Sequence, residues 1–189
     1  ENRVWLDADE IPKSFGEAFI AIEDQRFYQH DGVDWKSTVL AFANQYLKFY
    51  SSKRGGSTIT QQLVKNITDD KERTSDRKIR EIFRALALEQ TLDKTTILEA
   101  YLNTISLGNG ICGVQVAANY YFNKDVSELS LVECAAIAAI TKNPTAYNPV
   151  SKPEGNRERR NVVLDKMAEL GKISAEEAEA AKQQDITLD

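Results

Sequence analysis

The chain has 189 residues, with 24 lysines and arginines against 29 aspartates and glutamates, for a net charge of −5. That length suits one well-packed core rather than two, and an overall acidic balance argues against nucleic acid as a partner. No run approaches the ~18 apolar residues of a membrane span, no export signal stands at Glu1, and the two cysteines, with no Cys or His near either in sequence, read as free and structural.

Residues 1–13 read as irregular, ending in Ile11-Pro12-Lys13, and a helix follows. Phe15, Ala18, Phe19 and Ile22 recur at i, i+3, i+4, i+7, while Ser14 and Glu17 stand at capping-box spacing. At about 100° per residue Glu23 falls on the edge of this stripe and Asp24 well away from it. A carboxylate on such a boundary is partly desolvated, which suits general base or acid work. The same residues also read as a solvated helix end closed by Gly32 in the left-handed region. His30, the single histidine, reads equally as a structural hydrogen-bonding partner.

Residues 35–50 form a second helical run carrying Trp35, Val39, Leu40, Phe42, Tyr46, Leu47 and Phe49, too many large apolar groups for one narrow stripe. Either it is packed on both sides, or it meets a bilayer or partner with Lys48 and Lys53-Arg54 at headgroup level. Lys53-Arg54-Gly55-Gly56 is a turn feeding a helix that opens with Ser57-Thr58-Ile59-Thr60-Gln61-Gln62, in which Thr58 and Gln61 have capping-box spacing. Glycines leading into a helix N-terminus present N–H groups suited to phosphate or pyrophosphate. An ordinary capped helix has the same pattern, and the Gly-Lys-Ser/Thr ending of a nucleotide loop is missing.

Residues 67–74 are polar, and Ser75 or Asp76 caps a helix whose core face is Ile79, Ile82, Phe83 and Leu86, with Glu81 roughly opposite. Arg77 and Lys78 precede Glu81 by one turn. This is either a solvated face laced with ion pairs or a gathering of Arg73, Arg77, Lys78 and Arg80 where a diphosphate is neutralised. Asp93 caps a helix through Ile97, Leu98, Tyr101 and Leu102 to Asn103, and Gly108-Asn109-Gly110-Ile111-Cys112-Gly113 is a loop of tight turns. There follow a helix around Val114–Phe122, an alanine-rich helix capped by Ser130 with Glu133, a proline-marked loop over Asn143–Pro149, a helix near Arg157–Leu170 stopped by Gly171, and a last helix from Ser174 with Glu177 as its capping partner. With no convincing strand or repeat, the chain reads as all-α, with about seven to nine helices.

Several of these segments stand in a familiar order. Glu23-Asp24 with Phe27, His30 and Gly32 come first, then Gly55-Gly56-Ser57-Thr58-Ile59-Thr60-Gln61-Gln62 with Lys65 and Asn66, then Arg77-Lys78 with Glu81. Ile97-Leu98-Glu99 with Tyr101-Leu102-Asn103, Gly113-Val114 and Tyr121-Phe122 continue the pattern. Together they resemble the peptidoglycan glycosyltransferase domain of class A penicillin-binding proteins and monofunctional glycosyltransferases, from about Ile11 to Met167. The resemblance implies a single lysozyme-like helical domain over residues 1–189, with a large lobe and a small membrane-facing jaw at about residues 35–70. It implies an enzyme that joins lipid II into β-1,4-linked glycan strands with inversion and release of polyprenyl pyrophosphate. Its setting would be the outer face of the bacterial cytoplasmic membrane, with the growing lipid-linked glycan, the membrane surface and other cell-wall synthesis proteins as partners and no nucleic acid.

By the same resemblance Glu23 is the base and Glu81 the second catalytic acid, which either orients the cationic cluster or an ion or supports positive charge developing on the sugar. Substrate binding falls to Asp24, His30, Gly55, Ser57, Thr58, Gln61, Gln62, Lys65, Asn66, Arg73, Arg77, Lys78, Arg80, Tyr101 and Asn103. No cofactor is required, and no protein metal site is expected; a divalent cation, Mg or Mn, is the one candidate addition at the pyrophosphate. Two departures stand out: Asn123 where the family usually has Gly after Tyr-Phe, and Thr141 where a Leu-Pro step is common. Both are expected to affect loop geometry and to lie away from the chemistry. Two other functions draw on the same residues. A lysozyme or lytic transglycosylase would cleave glycan with one or two carboxylates, but leaves no pyrophosphate to explain the cations between Glu23 and Glu81. A non-catalytic module gripping lipid headgroups would use the cations and gain nothing from Glu23.

Overall fold

A computed structural model of the chain describes residues 5–40, 56–68 and 74–189. Its helices are α1 (Lys13–Glu23), α2 (residues 35–40), α3 (Ile59–Thr68), α4 (Ser75–Thr91), α5 (Lys94–Thr104), α6 (Val114–Phe122), α7 (Leu131–Ile140), α8 (Pro153–Glu169) and α9 (Ala175–Gln183). Short 3₁₀ turns occupy Phe27–Gln29 and Val126–Glu128. Among the described residues there is no strand, only an isolated bridge between Ser106 and Cys112. The all-α expectation therefore holds. The jaw expected over residues 35–70 falls largely on 41–55 and 69–70, so Phe42, Tyr46, Leu47, Lys48, Phe49, Lys53 and Arg54 lie outside the described residues.

The core is organised around α7. Its sequence, Leu131-Val132-Glu133-Cys134-Ala135-Ala136-Ile137-Ala138-Ala139-Ile140, is apolar nearly all round, as a helix enclosed on every side must be, and every residue from Val132 to Ile140 is buried. Alanines let neighbours approach closely, and α7 packs against α1 and α8 while α9 covers α8. On the other flank α3 lies against both α4 and α5. Phe15, Phe19 and Ile20 of α1 and Tyr101 of α5 are shut into the same core, and each such side chain contributes about 1.5–3 kcal/mol by leaving water.

Local signals place most helix ends. Thr58 and Gln61 form a reciprocal capping box, with Thr58 N–H donating to Gln61 Oε1 (3.0 Å) and Gln61 N–H to Thr58 Oγ1 (3.1 Å). Asp93 caps α5, the Ser130/Glu133 and Ser174/Glu177 boxes close as expected, and Asn123 ends α6 in the left-handed region at φ 50°. Asp34 caps α2 by accepting the Ser37 N–H and hydroxyl (3.2 and 2.7 Å).

Four expectations need correction. The Ser14/Glu17 box does not form: α1 begins at Lys13 with Pro12 as its N-cap, and Glu17 pairs with Lys13 instead. Thr74, one residue earlier than expected, caps α4 through the Arg77 N–H. α8 begins at Pro153 rather than near Arg157, since a proline at the first helical position loses no internal hydrogen bond. The most consequential change is in α4, whose buried face is turned, with Ile82 and Leu86 only half-buried. Ile79 and Phe83, assigned to the core, are 53% and 68% exposed, while Glu81 and Ala85 are 5% and 0% exposed. Periodicity identifies a helix without saying which side meets the protein, and here the acid faces inward because cations and an amide satisfy it.

Candidate active site

Glu23 is the last residue of α1, and the helix stops there because Asp24 leaves helical geometry at φ −153°. This exit explains why Asp24, expected to point away from the apolar stripe, is instead buried. Its Oδ2 accepts the Ile59 N–H at the start of α3 (2.9 Å) and His30 Nε2–H (2.8 Å). His30 Nδ1 in turn accepts the Gly32 N–H (3.1 Å), which assigns the ring proton to Nε2. A carboxylate at a helix N-terminus meets both free N–H groups and the positive end of the dipole. Asp24 thus occupies the N-terminus of α3, where the Gly-Gly-Ser-Thr turn is expected to offer a place for a phosphate, and the buried Asp24 and His30 join α1 to α3.

A second buried layer supports this joint. Glu89 accepts the Thr60 hydroxyl (2.6 Å) and pairs with Lys94 (2.7 Å), whose ammonium also donates to the His30 carbonyl (2.6 Å) and lies 4.5 Å over the Phe27 ring. Gly32 fits here as no other residue would. It has φ +102°, and a Cβ on it would stand 2.6 Å from the Ala85 carbonyl oxygen of α4. The Thr58 hydroxyl then donates to the Gly32 carbonyl (2.6 Å), tying the turn after α1 to the first turn of α3.

Consecutive glutamines at the start of α3 reach the two candidate acids. Gln62 Nε2 donates to Glu23 Oε2 (3.0 Å), and Gln61 Nε2 donates to Glu81 Oε1 (3.3 Å). The acids have different company. Glu81 is bound by the Arg77 guanidinium and the Lys78 ammonium, and Lys78 also donates to Ser57 Oγ (2.8 Å). Glu23, half-buried, has among the described residues a neutral amide and a hydroxyl: Thr141 Oγ1 donates to its Oε1 at 2.6 Å. The Gln62 amide is itself oriented by Tyr101, whose phenol donates to Gln62 Oε1 (3.2 Å). Burial, and then the charges of Glu23 and Asp24, hold that phenol well above its ordinary 10.0, so it stays a donor.

Ser57, Thr58, Gln61, Gln62, Arg77, Lys78, Glu81 and, through Gln62, Tyr101 are therefore gathered with Glu23 around the first turn of α3. Lys65 lines a recess with Arg77, Glu81 and Arg84, Asn66 and Arg80 are exposed, and Gly55 and Arg73 lie outside the described residues. Asn103 is not at this site. Its amide exchanges hydrogen bonds with the Leu6 N–H and carbonyl (both 2.9 Å), pinning the N-terminal segment to α5. A groove of about 580 Å³ between residues 8–13, α1 and α5 is separate, lined by none of the candidate residues. A divalent ion beside the cations would find Glu81 with both oxygens already facing ammonium and guanidinium groups, a poor donor set for a hard cation. No cluster of three or more His, Cys, Asp or Glu suited to a metal stands among the described residues.

Sequence reasoning missed Thr141, Glu89, Lys94 and Arg84. Thr141 was expected to lie away from the chemistry and instead touches the candidate base. Its separation of 118 residues from Glu23 leaves no local pattern by which to find it.

The sequence profile of the family described as Transglycosylase matches residues 1–168. Penicillin-binding protein 1F of Bacillus subtilis and penicillin-binding protein 1A of Aquifex aeolicus are each 45% identical over 188 residues, all of this chain. Penicillin-binding protein 1A of Escherichia coli is 42% identical over 186 residues. The chain spans about a quarter of the first two relatives' length, 26% of each. The crystal structure of penicillin-binding protein 1A from Haemophilus influenzae superposes with a TM-score of 0.59 at 26% identity, covering 99% of this chain and 18% of that one, in keeping with the helical, lysozyme-like fold. With the profile running through every element that builds the Glu23 site, this chain belongs to the transglycosylase family, as the domain shared with penicillin-binding proteins 1A and 1F.

Proposed function

We propose that this chain polymerises lipid II into β-1,4-linked glycan. The observation that carries this reading is the unequal pair of acids reached by Gln61 and Gln62: among the described residues Glu23 is held by the neutral donors Gln62 and Thr141, and Glu81 is bound by Arg77 and Lys78. A carboxylate without a cation against it is free to take a proton, whereas one bound by two cations serves to place them. In the reaction the 4-hydroxyl of the acceptor gives its proton to Glu23 as its oxygen bonds to the anomeric carbon of the growing strand. The bond from that carbon to the polyprenyl pyrophosphate breaks, and its electron pair leaves on the pyrophosphate. Attack opposite an α-linked leaving group yields the β bond. Arg77 and Lys78, with Lys65 and Arg73, meet the charge that develops on the pyrophosphate.

The substrate's polyprenyl tail holds it in a membrane, since each CH₂ withdrawn costs about 0.8 kcal/mol. Trp35, Val39 and Leu40 of α2, Ile67 of α3, and Ile79 and Phe83 of α4 are exposed apolar groups suited to that surface. No helix among the described residues is long and apolar enough to cross a bilayer, so contact from this part of the chain is superficial. The outer face of the bacterial cytoplasmic membrane, where a lipid-linked glycan is extended alongside other cell-wall synthesis proteins, fits this arrangement.

The test is incubation with lipid II and gel separation of products. A ladder of lengthening glycan is expected from the native chain and none from Glu23→Gln, because a general base contributes about 10²–10⁴-fold. Retention of more than about a tenth of the native rate by Glu23→Gln would remove Glu23 from the role.

A further inference from the structure

Thr141 follows the last residue of α7, and its hydroxyl stands between two acceptors: Glu23 Oε1 at 2.6 Å and the Ala138 carbonyl at 2.9 Å. A hydroxyl carries one proton and two lone pairs. While Glu23 is ionised it can only accept, so the Thr141 proton points to Oε1 in a short, charge-assisted bond. The other oxygen, Oε2, is held differently. Its partner is the Gln62 amide, whose own oxygen is occupied by the Tyr101 phenol, so that Gln62 presents only N–H to Glu23. Of the two partners, then, Thr141 alone can change from donor to acceptor in place.

We infer that Thr141 is a positioning residue for Glu23: its hydroxyl and the Gln62 amide together fix the carboxylate plane, and the hydroxyl reverses its hydrogen bond when Glu23 becomes protonated. This rests on the reading of Glu23 as the base. As the acceptor O–H breaks and its proton passes to Glu23, the new carboxylic acid gains a donor. The Thr141 proton turns to the Ala138 carbonyl, and a Thr141 lone pair receives the acid proton on Oε1. When Glu23 loses that proton to solvent the hydroxyl turns back. No other bond is made or broken at Thr141. A valine there keeps the shape but does neither task, and leaves Oε1 free to swing about the last torsion of the side chain. A serine keeps both.

The experiment compares Thr141→Val, Thr141→Ser and Glu23→Gln in the intact chain, with lipid II in detergent micelles as substrate and thermal unfolding alongside. For Thr141→Val, kcat is expected to fall about 10- to 100-fold, the worth of a hydrogen bond to a charged group, with KM within about threefold of native since the contact is to the base and not the substrate. Thr141→Ser is expected to stay within about threefold of native kcat, both variants melting close to the native chain. Should valine prevent folding, Thr141→Ala removes the same hydroxyl with less volume. A kcat above about half of native for the hydroxyl-free variant, or an equal loss in Thr141→Ser, would overturn the inference. If Glu23→Gln is inactive while Thr141→Val is fully active, only the role of Thr141 falls. If Glu23→Gln itself polymerises at more than about a tenth of the native rate, the base reading falls first and the inference with it.

Discussion

Replacing Asp24 by alanine separates a scaffold role from substrate binding. The carboxylate accepts from the Ile59 N–H and from His30 Nε2–H, and its side chain is 3% exposed. Truncation leaves two buried donors unmet, each costing about 1–3 kcal/mol, and removes a negative charge from the N-terminus of α3, where such a charge contributes up to about 2 kcal/mol when partly buried. Overlap among these effects gives a total near 3–5 kcal/mol, comparable to breaking a buried ion pair. For a chain of this size each kcal/mol moves Tm by about 2–4 °C, so Asp24→Ala is expected to melt about 6–20 °C below native. Asp24→Asn, which keeps one acceptor oxygen and loses the charge, is expected to fall between the two. Chemical denaturation followed by circular dichroism gives ΔG and m directly. An Asp24→Ala chain within about 1 kcal/mol of native stability but deficient in lipid II binding would refute the scaffold reading and restore Asp24 as a substrate ligand.

Gly32→Ala places a Cβ 2.6 Å from the Ala85 carbonyl at a positive φ, so α4 must shift; a loss of about 2 kcal/mol or more is expected in the same denaturation assay, and a neutral effect would mean the turn relaxes freely. Burial pushes the Glu133 carboxyl up, but Lys124 and Ser130 outweigh it and hold it below its ordinary 4.5. A lowered carboxylate stabilises the fold above its unfolded value and loses that contribution as pH falls through its folded one, so Lys124→Met is expected to be less stable than native at pH 7 by under about 1 kcal/mol, with the gap closing as pH falls below the ordinary 4.5. A stability gap unchanged down to acid pH would contradict this. Burial drives the Cys134 thiol up to about 12, whereas Cys112 is partly exposed. Iodoacetamide at pH 8 is therefore expected to alkylate Cys112 in the native chain and Cys134 only after unfolding, as read by peptide mass spectrometry.

Features carried by residues three or four apart were legible. The boxes at Thr58/Gln61, Ser130/Glu133 and Ser174/Glu177, and the left-handed Asn123, involve groups that meet whatever the rest of the chain does. Ser14/Glu17 shows the limit even there, because Lys13 enters the helix first and takes Glu17 as its partner. Orientation was less legible than existence. The heptad of Ile79, Ile82, Phe83 and Leu86 marked a helix, but α3 and the first helix turn offered Glu81 an amide and its own Arg77 and Lys78, and the helix docked on that side. Glu23 could be singled out by position and resemblance. What its neighbour Asp24 does depends on an N–H 35 residues away, and Thr141 on a loop past α7, distances at which no sequence period operates.

The carboxylate of Glu23 is gripped by Gln62 and Thr141, which follow it by 39 and 118 residues. At a synthesis rate of about 5–20 residues per second, Thr141 is made roughly 6–24 s after Glu23. Once α3 has been made, and until Thr141 follows, α1 and α3 exist with half of the clamp, and the seat for the hydroxyl is missing because α7, the helix the core closes around, is missing too. The hold on both oxygens of Glu23 is thus complete only once α7 has been made, and it arrives together with the burial of α7 rather than before it. Loosening of α7 in the finished protein would release Glu23 Oε1 from Thr141 while leaving in place the hydrogen bonds that join α1 to α3.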